Sequence, residues 1–177
     1  MNKTLFLLMF LLSVFLIPNL QAQGLNLGPQ VGFQKADDAE DGNFLLGAAL
    51  RLKFSKALGI EGSINYRQED FGPNLTVRSW PVMVTGLLYP LPIVYGAVGA
   101  GWYNTTFDFD TAAADVDETK QEFGWHFGAG VELPLGSKTK LAGDIRYVFL
   151  DYDFDEIPFR DVDSNFFMIS AGILFGL

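Results

Sequence analysis

The feature of this sequence that most restricts its fold is an alternation of large apolar residues with small or charged ones. Every second residue from Phe44 to Phe54 is Phe, Leu or Ala, and the residues between them include Arg51 and Lys53. The same alternation recurs in segments that begin at Ile60, Phe123 and Phe167. Because successive side chains of a strand point to opposite faces, each segment predicts a β-strand with one apolar face.

Four further segments are compatible with strands and bring the predicted count to eight: 25–35, 77–89, 93–109 and 141–149. Segment 77–89 is apolar on both faces, so its pattern does not assign an orientation. Connections rich in Gly, Pro, Ser and Lys predict tight turns at 55–59, 89–92 and 134–139. Longer and mostly acidic connections predict loops at 36–43, 69–75, 110–121 and 155–164. The predicted fold is all-β, an eight-stranded antiparallel up-and-down barrel.

The first segment of the chain has the pattern of a secretory signal peptide. Lys3 supplies a positive start, and 5–17 is a nearly unbroken apolar run that is shorter than the ~20 residues of a spanning helix. We expect cleavage after Ala22, with Gln23 as the alternative, so that 1–22 is removed and 23–177 forms the barrel domain. An N-terminal membrane anchor is the other interpretation of the same segment.

Composition excludes several classes of function. The chain carries 12 Lys and Arg against 21 Asp and Glu, a formal charge of −9, which makes nucleic acid a poor partner. It has no Cys and one His, which excludes thiolate chemistry, Cys-ligated metals and most catalytic triads. We expect no cofactor and no enzymatic activity, and instead a structural, transport or binding role.

Two closed barrels fit eight such strands, and the volume of the interior distinguishes them. A lipocalin-like barrel has an apolar interior, whereas a transmembrane barrel has an apolar belt toward lipid and a polar lumen. The interior of an eight-stranded barrel is only just wide enough for side chains. The face with Gly, Ala, Ser and sparse charges fits that space, and the face with Phe, Trp and Leu would overfill it. The sequence therefore predicts a transmembrane barrel.

The charged positions of the inward face predict an ion-paired lumen, because isolated buried charges are strongly unfavourable. Arg51 and Lys53 face Glu61 on the next strand, and Glu132 lies one hairpin away from Asp144 and Arg146. We expect an ionic plug and not an open pore. The predicted lumen network is Arg51, Lys53, Glu61, Arg67, Glu122, His126, Glu132, Asp144 and Arg146.

Aromatic residues near the strand ends predict two girdles at the membrane interfaces. The girdle toward the long loops is predicted to contain Tyr66, Trp102, Tyr103, Trp125 and Tyr147. The girdle toward the short turns is predicted to contain Phe54, Tyr89, Tyr95 and Phe175.

Two motifs resemble those of small bacterial outer-membrane, porin-like barrels of the opacity-protein, OmpW and OmpA membrane-domain type. The end of the chain, with Ser170, Gly172, Phe175 and Leu177, is similar to their C-terminal insertion signal, in which Phe or Trp usually replaces Leu177. The segments 80–83 and 95–103 resemble the core of these barrels. The resemblance implies outer-membrane residence, termini in the periplasm and long loops outside. It implies, as partners, outer-membrane lipids, lipopolysaccharide, the barrel assembly machinery and periplasmic chaperones.

Two candidate chemical sites are weak. Some outer-membrane barrels are lipid A deacylases with a His-x-Ser pair, but Gly128 stands where that Ser would follow His126, so we expect no catalysis. Asp151, Asp153 and Asp155 place carboxylates on one face of a strand extension, and hard cations prefer such oxygens. The run lacks the glycine and distal Glu of an EF-hand loop, which leaves solvated loop charge as the plainer interpretation and divalent cations as a hypothetical partner.

The function expected from the sequence is that of a structural outer-membrane barrel. Its acidic loops would meet cations, ligands or surfaces. The first alternative is a porin-like passive channel for small hydrophobic or polar solutes, and the second is a soluble periplasmic lipid-binding barrel.

Overall fold

The chain forms a closed barrel of eight strands. A computed structural model describes residues 24–36, 42–70, 75–111, 114–150 and 165–177. The predicted signal peptide at 1–22 and the Asp run at 151–155 lie outside these residues. Within the described part, no helix is long and apolar enough to cross a membrane. The strands are β1 (Leu25–Ala36), β2 (Asn43–Lys53), β3 (Leu58–Asp70), β4 (Leu75–Leu91), β5 (Val94–Thr111), β6 (Ala114–Pro134), β7 (Thr139–Leu150) and β8 (Phe166–Gly176).

Each strand pairs antiparallel with its neighbour in the chain, and β8 pairs with β1 to close the sheet. This is the topology predicted from the alternating segments. Closure removes free strand edges, which would otherwise leave backbone N–H and C=O groups unpaired.

The two ends of the barrel differ. The β2–β3, β4–β5 and β6–β7 connections are short and lie at one end, which we call the turn end. At the β2–β3 turn the Phe54 N–H donates to the Leu58 carbonyl (3.0 Å), and the Ser55 hydroxyl accepts from two backbone N–H groups. The opposite end, where β1–β2, β3–β4, β5–β6 and β7–β8 connect, is called the loop end.

One predicted loop is wrong. The acidic stretch 110–121 was expected to be a loop, but β5 continues to Thr111 and β6 begins at Ala114. The register runs without interruption from Val94 opposite Val131 to Thr111 opposite Ala114. Thr111, Val116 and Thr119 lie among the acidic residues of this stretch, and these residue types favour strands. The hairpin pairing that starts in the barrel wall therefore extends into the acidic segment.

The apolar face points outward, as predicted. Trp125 is 62% exposed and Phe127 53%, whereas Arg51 and Glu132 are 1% and 4% exposed. The orientation of β4, which its sequence does not assign, places Met83, Thr85 and Leu87 inside. The outward belt also contains Leu27, Val31, Leu46, Leu50, Ile64, Val84, Val98, Ile145, Ile169 and Ile173. In a membrane these side chains contact acyl chains, while the buried charged side chains face the lumen.

The contact between β1 and β8 predicts a stability difference between two Gly→Ala variants. A Cβ added at Gly28 would overlap the backbone carbonyl of Ile173, whereas a Cβ at Gly62 meets nothing within 4 Å. We expect Gly28→Ala to lower the free energy of unfolding by about 2–4 kcal/mol or to prevent folding, because backbone cannot move aside cheaply. Gly62→Ala should stay close to wild type. Urea titrations in detergent, followed by heat-modifiable gel migration, measure both, and equal stabilities would contradict the β1–β8 register.

Candidate functional site inside the barrel

Charged side chains from four strands meet near the turn end in a group that we call the ionic cluster. Its members are Arg51, Lys53, Glu61, Glu132, Lys140, Asp144 and Arg146. Arg51 lies at its centre. Its Nε donates to Glu61 Oε2 (2.9 Å), and its Nη1 donates to Glu132 Oε2 (2.9 Å). One guanidinium thus links β2 to β3 and, across the lumen, to β6.

Glu132 forms ion pairs with three cationic side chains. Besides Arg51, Lys53 Nζ lies 2.8 Å and Lys140 Nζ 3.0 Å from Glu132 Oε1. The Tyr89 hydroxyl donates to Glu132 Oε2 at 2.9 Å. A buried carboxylate is tolerated only when its oxygens accept enough hydrogen bonds, and Glu132 meets that condition with partners from three other strands, β2, β4 and β7.

Arg146 forms the second centre of the cluster. It donates to Glu61 Oε1 (2.6 Å) and through Nε to Asp144 Oδ1 (2.9 Å). Its Nη1 reaches the hydroxyl of Thr85 at 3.0 Å, and that hydroxyl lies 2.9 Å from His126 Nε2. Glu61 thus joins the two arginines, and the polar contacts continue from the cluster to His126.

The partners of two predicted lumen charges differ from expectation. Lys53 was expected to face Glu61, but it pairs with Glu132. Glu132 was expected near Asp144 and Arg146, but it pairs with Arg51, Lys53 and Lys140. Long side chains in a narrow barrel also reach across the lumen, so neighbours along the sheet do not decide every pair. Lys140 was missed because its predicted strand began one residue later.

Two further predicted lumen residues lie apart from the ionic cluster. Arg67 is near the loop end, with Nη1 4.0 Å from Glu69 Oε2 on its own strand, and both side chains are partly exposed. Glu122 is half-buried on β6, also toward the loop end. Strand direction explains why both residues lie apart from the cluster. β3 runs from Glu61 toward the loop end, and β6 runs from Glu122 toward the turn end.

A layer of apolar side chains fills the lumen on the loop side of the ionic cluster. We call it the apolar layer, and it consists of Leu45, Met83, Tyr103, Val148, Leu150, Phe166 and Met168. The rings of Tyr103 and Phe166 pack edge to face at 5.8 Å, and the Tyr103 hydroxyl lies 3.5 Å from Met83 Sδ. Sequence reasoning missed this layer. Leu45 and Met168 were its signal, as large apolar residues on otherwise small or charged faces.

Tyr89, Tyr95 and Tyr103 were predicted in the aromatic girdles, and this is wrong. They are 4%, 0% and 3% exposed and point into the lumen. The space comes from glycines on neighbouring strands: a Cβ at Gly130 would overlap the Tyr95 ring, and one at Gly124 would lie 3.0 Å from the Tyr103 ring. Pairing large with small residues is how narrow barrels accommodate bulky interiors.

The other predicted girdle residues lie on the outer surface. Trp102 is 44% exposed, and Tyr66 and Tyr147 are half-buried among outward-facing rings. Tyr66 contacts Trp80 (4.6 Å between ring centroids), and Tyr147 contacts Phe167 (4.6 Å). Phe175 is outward near the turn end, and Phe54 is half-buried in the β2–β3 turn.

The residues of the predicted insertion signal divide between the two faces of β8. Ser170 points inward and donates to Asp144 Oδ1 at 3.1 Å, which ties β8 to the ionic cluster. Gly172 lies on the same inward side, while Phe175 and Leu177 are exposed. The alternation of the motif is therefore that of a strand with one polar and one lipid-facing side.

Three buried polar atoms in the described part of the chain lack a hydrogen-bond partner: Ser63 Oγ, Asn65 Nδ2 and His126 Nδ1. His126 is 1% exposed. Among the side chains that the structure describes, no group of three or more His, Cys, Asp or Glu could hold a metal ion. The contacts described inside the barrel are those of ion pairing, hydrogen bonding and apolar packing.

The ionic cluster predicts a large difference between two arginine substitutions. Arg51→Leu leaves Glu61 and Glu132 buried with fewer partners, so we expect a loss of about 3–5 kcal/mol of unfolding free energy. Arg67→Leu removes a partly exposed pair and should cost about 0–1 kcal/mol. Urea unfolding of both variants in the same detergent measures the difference. Equal losses would mean that the cluster does not stabilise the barrel.

Comparison with known proteins shows which proteins share this architecture. The family described as outer membrane protein beta-barrel domain matches residues 4–175. A search of curated protein sequences gives no match. Solved structures share the fold of this chain at low sequence identity.

Three of these structures illustrate the likeness. The attachment invasion locus protein Ail of Yersinia pestis, in complex with the heparin analogue sucrose octasulfate, is 15% identical with a TM-score of 0.57, covering 87% of this chain and 97% of Ail. Neisserial surface protein A is 11% identical with a TM-score of 0.56, covering 86% and 96%. A major outer membrane protein of Thermus thermophilus is 11% identical with a TM-score of 0.61, covering 86% and 99%. Given the family match over nearly the whole sequence and the closed eight-stranded fold, this chain belongs to the outer membrane protein beta-barrel domain family and resides in the outer membrane.

Proposed function

We propose that this protein is a structural barrel of the outer membrane with a sealed lumen, which presents an acidic surface at its loop end. The observation that carries the proposal is the filling of the interior by two successive layers. Arg51, Glu61 and Arg146 are each at most 2% exposed in the ionic cluster, and Met83 and Met168 are equally buried in the apolar layer.

The two layers oppose ion passage for different physical reasons. An ion that crosses the apolar layer loses its hydration shell without gaining polar partners, which is strongly unfavourable. An ion that crosses the ionic cluster has to displace charge-assisted hydrogen bonds that already satisfy the side chains. Each layer alone is a barrier, and together they favour the structural role over the passive channel.

We also propose that the barrel is not an enzyme. His126 is enclosed in the lumen, with Nε2 against the Thr85 hydroxyl, and the residue two positions later is Gly128. A histidine that acts on a lipid substrate needs access to that substrate and a nearby nucleophile. The position of His126 supports a role in holding Thr85 and, through it, Arg146.

The sealed lumen predicts the outcome of planar-bilayer recordings. We expect the purified protein to give no discrete conductance in about 1 M KCl, a salt concentration at which surface charges are strongly screened. A general porin that is reconstituted in the same way provides the positive control. Stepwise conductance in the wild-type protein would contradict the proposal and favour the passive channel.

A variant with a reduced apolar layer tests whether the ionic cluster seals the lumen by itself. Met83→Ala combined with Phe166→Ala removes bulk from the loop side and leaves every ion pair in place. We expect this variant to remain silent in the same recordings, after heat-modifiable migration has shown that it folds. Conductance in the variant but not in the wild type would assign the barrier to the apolar layer alone.

The acidic surface is supported by the register of the long β5–β6 hairpin. Asp108 lies opposite Asp117, and Asp110 lies opposite Asp115. Like charges directly opposite each other on antiparallel strands are destabilising. Divalent cations relieve such repulsion, because hard cations prefer carboxylate oxygens. We therefore propose divalent cations, which also bridge the phosphates of lipopolysaccharide, as partners of the loop end.

This proposal predicts a stabilisation by calcium that depends on the hairpin. About 5 mM CaCl2 should raise the melting temperature of the wild-type protein relative to NaCl of equal ionic strength, which controls for screening. The rise should shrink when Asp108, Asp110, Asp115 and Asp117 are all replaced by Asn. An equal rise in the two salts, or an unchanged rise in the variant, would contradict cation binding by the hairpin.

A further inference from the structure

A pocket of about 430 Å³ opens at the turn end, and its lining is basic. Three lysines surround it, namely Lys53, Lys56 and Lys140, beside the end of β4 from Tyr89 to Leu91 and Pro92 of the β4–β5 turn. They come from the end of β2, the β2–β3 turn and the start of β7. The barrel therefore brings Lys140 next to Lys53 and Lys56, which lie far from it in the chain.

The charges around this pocket do not balance. The ionic cluster beneath it holds four cations and three carboxylates, and the exposed Lys56 adds a further positive charge. The short connections at this end, 54–57, 92–93 and 135–138, contain no Asp or Glu. The carboxylate that pairs with Lys53 and Lys140 is Glu132, which the two ammonium groups share with Arg51. A surplus of positive charge thus lies at the mouth of the barrel.

Lys53 and Lys140, the two lysines that also belong to the ionic cluster, keep N–H donors for a ligand. An ammonium group has three N–H donors, and Glu132 Oε1 accepts one from each of Lys53 and Lys140. Lys53 Nζ also lies 3.7 Å from the centroid of the Tyr89 ring, which holds it at the pocket wall. Their side chains are 13% and 23% exposed, so they are oriented by the protein and still reachable from the pocket.

We propose that this turn-end pocket binds a phosphate group. Lysine ammonium groups bind phosphate as compact point charges, and the convergence of three of them suits an oxyanion with several acceptor oxygens. The pocket is larger than an inorganic phosphate ion requires, and Pro90, Leu91 and Pro92 give it an apolar rim. This combination fits the phosphate of a lipid headgroup whose glycerol and acyl portions lie against the rim. The proposal does not depend on whether the lumen conducts.

The test uses the full barrel, refolded in a maltoside detergent that contains no phosphate. Inorganic phosphate and dihexanoyl phosphatidylglycerol are titrated separately, and ³¹P line widths report binding, with KCl added to hold ionic strength constant. We expect a saturable curve for the lipid. Saturation by both probes would mean that the phosphate group suffices, whereas saturation by the lipid alone would mean that the glycerol portion contributes.

Matched lysine variants locate the site. Lys56→Gln combined with Lys140→Gln should weaken binding by about ten-fold or more, because charge-assisted hydrogen bonds are lost. Lys138→Gln removes the same charge from an exposed residue of the same end that does not line the pocket, and should change binding less than about two-fold. If the double variant fails heat-modifiable migration, Lys56→Gln alone replaces it, with an expected weakening of about three-fold.

Two results would overturn the proposal. One is the absence of saturable binding to the wild-type protein with either probe. The other is an equal weakening by Lys138→Gln and by the pocket variants, which would show that the ligand senses only the overall charge of the turn end.

Discussion

The narrow interior of an eight-stranded barrel is the constraint on which the rest of this structure depends. A lumen only just wide enough for side chains has no room for bulk water around each charge. Every charged side chain that points inward needs partners within the protein, and Arg51, Glu61, Glu132 and Arg146 find them in one another. The same narrowness explains the glycines that face Tyr95 and Tyr103, since each large ring requires a small residue opposite.

The fold was predictable because its signal is local and repeated. Alternation in segments such as 44–54 sets strand and face together, and the short connections with Gly, Pro and Ser set the antiparallel order. The prediction was wrong at 110–121, where acidic residues suggested a loop although Thr111, Val116 and Thr119 favour a strand. The acidic composition favoured a loop there and the strand propensity favoured a strand. The continuous β5–β6 register shows that the segment follows its strand propensity.

The interior was predictable in its membership and less so in its pairs. Inward position follows from parity along each strand, which identified Arg51, Glu61, Glu132, Asp144 and Arg146. The partners of Glu132 depend on how far Arg51 and Lys53 reach across the lumen from β2, and a sequence pattern does not contain that distance. The inward tyrosines show a related limit, because an amphipathic ring suits a membrane interface and a polar cavity equally well.

The hydrogen bond from Ser170 to Asp144 means that the final strand completes the polar network inside the barrel as well as the sheet. Until β8 docks, Asp144 lacks one of its donors and the sheet has two open edges, so the interior network and the wall are finished by the same event. Glu61 pairs with both Arg51 and Arg146, so a substitution of Glu61 removes a partner from both arginines at once. Natural relatives that change the residue at position 61 should carry compensating changes at both arginine positions, and the three sites are expected to vary as a unit.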